Sequence, residues 1–212
     1  MRPRILVINP NSNESVTDGL RRSLASYRDV ADIDCCTLSD GPFGIESDDD
    51  VVVAAGLVID RVASANDYDA CVIACYSDPG LAECRARFDK PVFGMQQSAL
   101  GAAAAQGRFG VLALSDESIA RHLVYIDRLG LGDRLAGELP LDISVDQSAN
   151  DPATLDRIIT VGRRLADEFG AEVLVLGCAG MAAHKKPAAA ALRVLVIEPV
   201  EAAVEAALAA II

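Results

Sequence analysis

Two cysteines occupy matching places in two stretches of this chain. Cys75 follows the apolar run Ala70-Cys71-Val72-Ile73-Ala74 and precedes Tyr76-Ser77-Asp78-Pro79-Gly80. Cys178 follows Val173-Leu174-Val175-Leu176-Gly177 and precedes Ala179-Gly180-Met181. The offset between them, 103 positions, also carries Ser12-Asn13-Glu14-Ser15 onto Ser115-Asp116-Glu117-Ser118 and Asp69 onto Glu172. The shared residues are few, and they hint at a duplicated unit. Two related halves that each offer a thiol at the same point can present those thiols to opposite faces of one small molecule. That arrangement suits taking a proton from one face of a carbon and returning it to the other.

A thiol ionises near 8.5, so little thiolate exists at neutral pH unless the surroundings favour it. A helix N-terminus does so, through free N–H groups and a partial positive charge. Cys75 precedes a helix predicted to open at Asp78-Pro79, and Cys178 precedes a turn opened by Ala179-Gly180, so both thiols are expected to be activated. The same N–H groups could hold a carbonyl oxygen as it becomes an enolate. No His or Lys adjoins either cysteine; His184, Lys185 and Lys186 lie one or two turns further on. An unassisted thiolate copes best with a carbon already acidified by a flanking carbonyl and nitrogen. A ring ureide such as a hydantoin therefore fits better than a free amino acid, and the proton transfers need no cofactor.

The other four cysteines, 35, 36, 71 and 84, read as small core or helix-face residues. A disulfide framework is out of keeping with a sizeable α/β chain. Cys71 and Cys75 would sit on one face of a strand but roughly 13 Å apart, too far to share a zinc ion. No Cys-x-x-Cys pair is present, and no metal is expected.

Short apolar runs alternate with helical patterns, the signature of parallel α/β sheets. Strands are predicted at Arg4–Ile8, Ile33–Leu38, Ala70–Ala74, Val92–Gly94, Phe109–Leu114, Leu139–Val145, Val173–Leu176 and Leu195–Ile197, with helices near 14–27, 50–65, 80–87, 97–105, 116–128, 152–168 and 199–210. Four strands fall in each half, with no linker between, so a cleft between the halves is the natural site. The expected units are residues 1–96, completed by 198–212, and residues 97–197. Ligands of such sheets bind beyond the carboxyl ends of the strands. The residues there, Asn9, Pro42, Phe43, Tyr76, Ser77, Ser115, Ala179 and Gly180, are the expected pocket floor. Asn11, Ser12, Asp78 and Asp116 read as helix caps.

The chain has 212 residues, 51% of them hydrophobic, enough for a substantial core. Its net charge of −12 and lack of tryptophan argue against nucleic acid or an anionic membrane as partner. No apolar run is long enough to span a bilayer, and the opening run Ile5–Ile8 is too short for a signal-peptide core, so a cytoplasmic setting is expected.

The chain resembles the aspartate/glutamate/hydantoin racemase superfamily over nearly its whole length. The likeness rests on Ile8-Asn9-Pro10-Asn11-Ser12, Gly41-Pro42-Phe43-Gly44-Ile45-Glu46-Ser47, Ala74-Cys75-Tyr76-Ser77-Asp78-Pro79-Gly80-Leu81 and Leu176-Gly177-Cys178-Ala179-Gly180-Met181. It is strongest to the hydantoin and allantoin racemase branch, which usually carries Phe-Gly where Tyr76-Ser77 stand. The resemblance implies two similar Rossmann-like α/β/α domains with mainly parallel sheets about a pseudo-twofold axis. It places Cys75 and Cys178 in the cleft between them as acid and base, acting on a small molecule in a homo-oligomer without a cofactor. Competing readings on the same scaffold are an Asp/Glu-type amino-acid racemase, an arylmalonate decarboxylase-like or maleate isomerase-like enzyme, and a non-catalytic small-molecule binder.

Overall fold

The structure, a computed structural model, describes residues 2–212. Eight strands form two four-stranded parallel sheets. The first holds β1 (Arg4–Asn9), β2 (Asp32–Thr37), β3 (Ala70–Ile73) and β4 (Val92–Gly94) in the order β2-β1-β3-β4. The second holds β5 (Phe109–Ala113), β6 (Leu135–Pro140), β7 (Val173–Leu176) and β8 (Leu195–Ile197) in the order β6-β5-β7-β8. The two orders are the same once the second is renumbered from its own start, so β3 and β7 are equivalent strands. Strands β3, β5 and β7 are buried along their whole length, as expected of parallel strands covered by helices on both faces.

The helices are α1 (Glu14–Ser23), α2 (Asp48–Ala63), α3 (Leu81–Arg87), α4 (Met95–Gln106), α5 (Asp116–Arg128), α6 (Val145–Asn150), α7 (Thr154–Asp167), α8 (Lys185–Leu192) and α9 (Pro199–Ile211). Among the described residues none is long and apolar enough to cross a membrane. Helices α4 and α9 pack on each other and reach strands of both sheets, with α9 against β3 and β4 and α4 against β7. Both are alanine-rich on the buried side, at Ala99, Ala103, Ala202, Ala203 and Ala207. Small side chains let the two backbones approach closely, which joins the two halves into one apolar core.

Several local expectations are corrected. The predicted strand Leu139–Val145 lies four residues early, as β6. The alternation that suggested it is real, since Leu141, Ile143 and Val145 are buried and Asp142 is exposed. It belongs to an extended segment whose Leu141 and Ile143 N–H groups bond to the carbonyls of Ala113, the last residue of β5, and Leu114 just after it. Helix α6 then opens on a capping box of Ser144 and Gln147. Helix α8 was not expected; its Pro187 sits in the first turn, where a proline costs no intrahelical bond.

The caps also move. Asn13, not Asn11 or Ser12, caps α1, and Ser115, not Asp116, caps α5. Asp78 caps no helix of its own segment. It sits at φ 44° two residues before Gly80, the left-handed N-cap of α3. Its carboxylate turns instead to α4, accepting the Gln96 and Gln97 N–H groups at 2.9 and 2.8 Å.

Candidate active site

Cys75 lies two residues beyond β3 and Cys178 two residues beyond β7. Gly180 N–H bonds to Cys178 Sγ at 3.4 Å, and the Ser77 N–H, two residues after Cys75, draws that thiol down. The equivalence thus extends from strand order to the place of each thiol beyond its strand. All six cysteines are free. Cys71 and Cys84 pack with Leu6, Ile8 and Ile73 in the smaller core cluster.

Cys75 and Cys178 line one open pocket with about 440 Å³ of empty volume, counting its mouth. Tyr76, Ser77 and Ala179 share the lining. The remaining predicted site residues lie outside the lining. Asn9 is fully buried, and its Nδ2 donates to Asn11 Oδ1 at 2.9 Å and Thr17 Oγ1 at 3.0 Å. It thereby shapes the β1–α1 loop that brings Asn11 to the pocket wall. Pro42 accepts the Ser12 N–H through its carbonyl at 2.9 Å, Phe43 faces solvent at 61% exposure, and Ile45 of the same loop lines the pocket. Ser115 caps α5, whose Ser118, Arg121 and His122 form one wall. Gly180 backs the site: a Cβ there would come within 2.2 Å of Ser148 Oγ.

Ser148 is itself part of the arrangement. Its Oγ lies 3.4 Å from Cys178 Sγ while donating to Val145 O at 2.6 Å. With the hydroxyl hydrogen on Val145, the thiol can donate to Oγ; once sulfur ionises, the hydroxyl can rotate and donate to it.

Burial raises both thiols, against the expected activation. Cys75 is pushed up to about 12, chiefly by burial and further by Cys178 and Asp78, while the Ser77 N–H and Arg121 pull it down. Cys178 is likewise raised by burial, against Ser148 and the Gly180 N–H. The physical reason is that no full helix end reaches either sulfur. Helix α3 opens only at Leu81, and the segment after Cys178 is a 3-10 turn, Ala179–His184.

His122 was missed from the sequence. Its Nδ1 lies 2.6 Å from Glu138 Oε1, with 3% and 1% of the two side chains exposed, and its ring meets Tyr76 edge to face at 5.0 Å. One signal existed: Ser118, His122 and Ile126 recur every four residues along the buried stripe of α5, so polar groups were to be buried there.

Two parallel sheets of identical strand order, with a thiol beyond the same strand of each, define a duplicated α/β scaffold carrying a two-cysteine pocket. Residues 5–207 match the Asp/Glu/Hydantoin racemase family, and the chain belongs to it, hence to the isomerases. A hydantoin racemase of Paenarthrobacter aurescens is 35% identical over 94% of this chain and 87% of its own. A second, from Pseudomonas sp. (strain NS671), is 32% identical over 95% and 83%. Among solved structures, allantoin racemase from Klebsiella pneumoniae superposes with a TM-score of 0.92 at 26% identity, covering 97% of this chain and 86% of that one.

Proposed function

We propose that the chain racemises a hydantoin-like or allantoin-like ring ureide, with Cys75 and Cys178 as the two acid–base groups. The observation that carries the reading is that both sulfurs line one pocket from equivalent strand ends. One cysteine, as thiolate, takes the hydrogen from the stereocentre; the electron pair moves onto the adjacent carbonyl oxygen; the other cysteine, as thiol, delivers a proton to the opposite face. Reversal runs the same path with the roles exchanged.

The lining supports a ureide over an amino acid. Among the described residues it holds one permanent cation, Arg121, and no carboxylate. An α-ammonium group would enter this mostly apolar pocket without a counter-charge, which is costly. A neutral ureide pays no such penalty, and its carbon acid is within reach of a thiolate. The hydantoin and allantoin racemases named above support the same class.

The test is exchange of the α-hydrogen for deuterium in D2O, followed by NMR and polarimetry across 5-substituted hydantoins, allantoin and free amino acids. Exchange with loss of optical rotation is expected for ureides and not for amino acids. Exchange confined to amino acids, or none with any member, overturns the proposal.

A further inference from the structure

His122 lines the pocket and is paired with Glu138 behind it, yet neither has a part in the two-thiol scheme. Glu138, on β6, and His122, on α5, are joined through Oε1 and Nδ1, and both side chains are almost fully buried. Glu138 Oε2 is buried without a partner. His122 lines the pocket, and its Nε2 makes no hydrogen bond to any of the described residues. A buried carboxylate with one oxygen unpaired is disfavoured, and burial lifts the Glu138 carboxyl against the pull of His122. A Glu138 carboxyl that keeps its proton places it in the Oε1–Nδ1 contact, and the hydrogen of the imidazole ring then sits on Nε2.

Resting on the racemase reading, we infer that His122 Nε2–H is a hydrogen-bond donor to the substrate carbonyl oxygen that becomes the enolate, and that Glu138 is the positioning residue that fixes the ring. In the step, the C–H electron pair becomes the C=C bond and the carbonyl π pair moves to oxygen. The His122 N–H bonds to that oxygen and keeps its proton, so no charge is transferred to the dyad. A donor aimed at developing charge in a water-poor site is worth a large factor in rate. The enolate is common to both directions of reaction, so His122 serves both equally, unlike either thiol.

The competing structural role has Nε2–H resting on the Tyr76 ring. Two substitutions separate the roles. In His122→Asn the amide nitrogen takes the place of Nδ1, keeping Glu138 partnered and removing the donor to the pocket. In His122→Gln the amide nitrogen reaches the place of Nε2, keeping the donor. The inference expects His122→Asn to lose about 100-fold in kcat, the order seen on removing one oxyanion donor, with deuterium exchange slowed equally for both enantiomers and KM little changed. His122→Gln should recover most of the loss. Circular dichroism and thermal melting report folding of each. The inference is overturned if His122→Asn keeps kcat within threefold, if the loss falls on one enantiomer only, or if Gln is the worse variant. A wild-type chain that exchanges no ureide overturns the racemase reading instead, so the two failures are distinguishable.

Discussion

In the proposed mechanism a stereocentre is protonated from either side, which asks for two bases held alike, and the two sulfurs stand beyond equivalent strands. For each, the N–H two residues on pulls the thiol down. The differences between them are then informative. Ser148 lies beside Cys178 alone, and Arg121 acts on Cys75. In the two-thiol mechanism, Cys75→Ser and Cys178→Ser each abolish racemisation, because a serine hydroxyl does not ionise near neutral pH. The remaining thiol still exchanges deuterium into the one enantiomer whose hydrogen faces it, and the two variants choose opposite enantiomers. A single variant with near-normal turnover would show that one cysteine only packs. Ser148→Ala removes the hydroxyl that can steady the Cys178 thiolate, a bond to charge worth about 1.5 kcal/mol. Exchange through Cys178 should fall about tenfold while exchange through Cys75 holds. An equal fall on both sides would place Ser148 in substrate binding. The pH dependence has a definite sign. Both thiols start protonated, Cys75 held up to about 12 and Cys178 also raised by burial. The active form gains one thiolate, so kcat/KM climbs about tenfold per pH unit from 7 to 9. A plateau already reached at pH 8 would mean that a thiolate forms far more easily than burial allows.

At the scale of elements, Asp78 shows how a local reading can find the right chemistry on the wrong partner. Asp-Pro signals a cap in sequence, and Asp78 does cap a helix, but it is α4, reached across the segment. Asp78→Ala removes that cap, and the urea-derived stability should fall by about 1 kcal/mol. Asp78→Asn tolerates the backbone and keeps one acceptor, so it loses less. Its deficit also varies with pH. Burial raises the Asp78 carboxyl to about 7 in the folded chain, above the usual value of about 4, so ionisation opposes folding. The parent's advantage is whole below pH 4 and is lost as pH rises through 7. Asparagine escapes that loss, and its deficit is larger at pH 5 than at pH 8. A deficit that grows with pH would reverse the assigned shift. The same contrast explains what was legible. The strand ends bearing Cys75 and Cys178 stand out because short, wholly buried runs stop abruptly at polar or small residues. The positions of Tyr76, Ser77 and Ala179 follow directly from them. His122 and Glu138 do not stand out, because their pairing joins a helix face to a strand of another register. The roles of Asn9 and Gly180 behind the pocket depend on Thr17 and Ser148, neither of which the strand pattern singles out.

Across the whole molecule, the pocket lies between the two sheets, and a few polar ties cross it. Asn13 Nδ2 donates to Asp146 Oδ1 at 2.9 Å, the Val145 N–H donates to Glu46 Oε1 at 2.8 Å, and Arg121 on α5 bonds Asp48 Oδ1 at 2.6 Å and Ser77 Oγ at 3.2 Å. The Arg121 tie joins α5 to the start of α2 and to the loop that carries Cys75. Asp48 is 85% exposed, so the ion pair adds little to stability, as exposed pairs do. Its consequence is local to the site, because Arg121 is the one permanent cation of the lining among the described residues and lowers the Cys75 thiol. Arg121→Met should therefore leave the urea midpoint nearly unchanged while raising KM. It should also shift the Cys75-dependent limb of the pH profile upward and slow exchange of one enantiomer more than the other. Asp48→Asn opens the same tie but keeps the cation, so it should raise KM without the shift in pH profile. Measuring both variants separates mechanical closure from charge. If Arg121→Met unfolds the chain instead, the tie is structural. If Asp48→Asn moves the pH profile as far as Arg121→Met does, it is the position of the guanidinium, not its presence, that tunes Cys75.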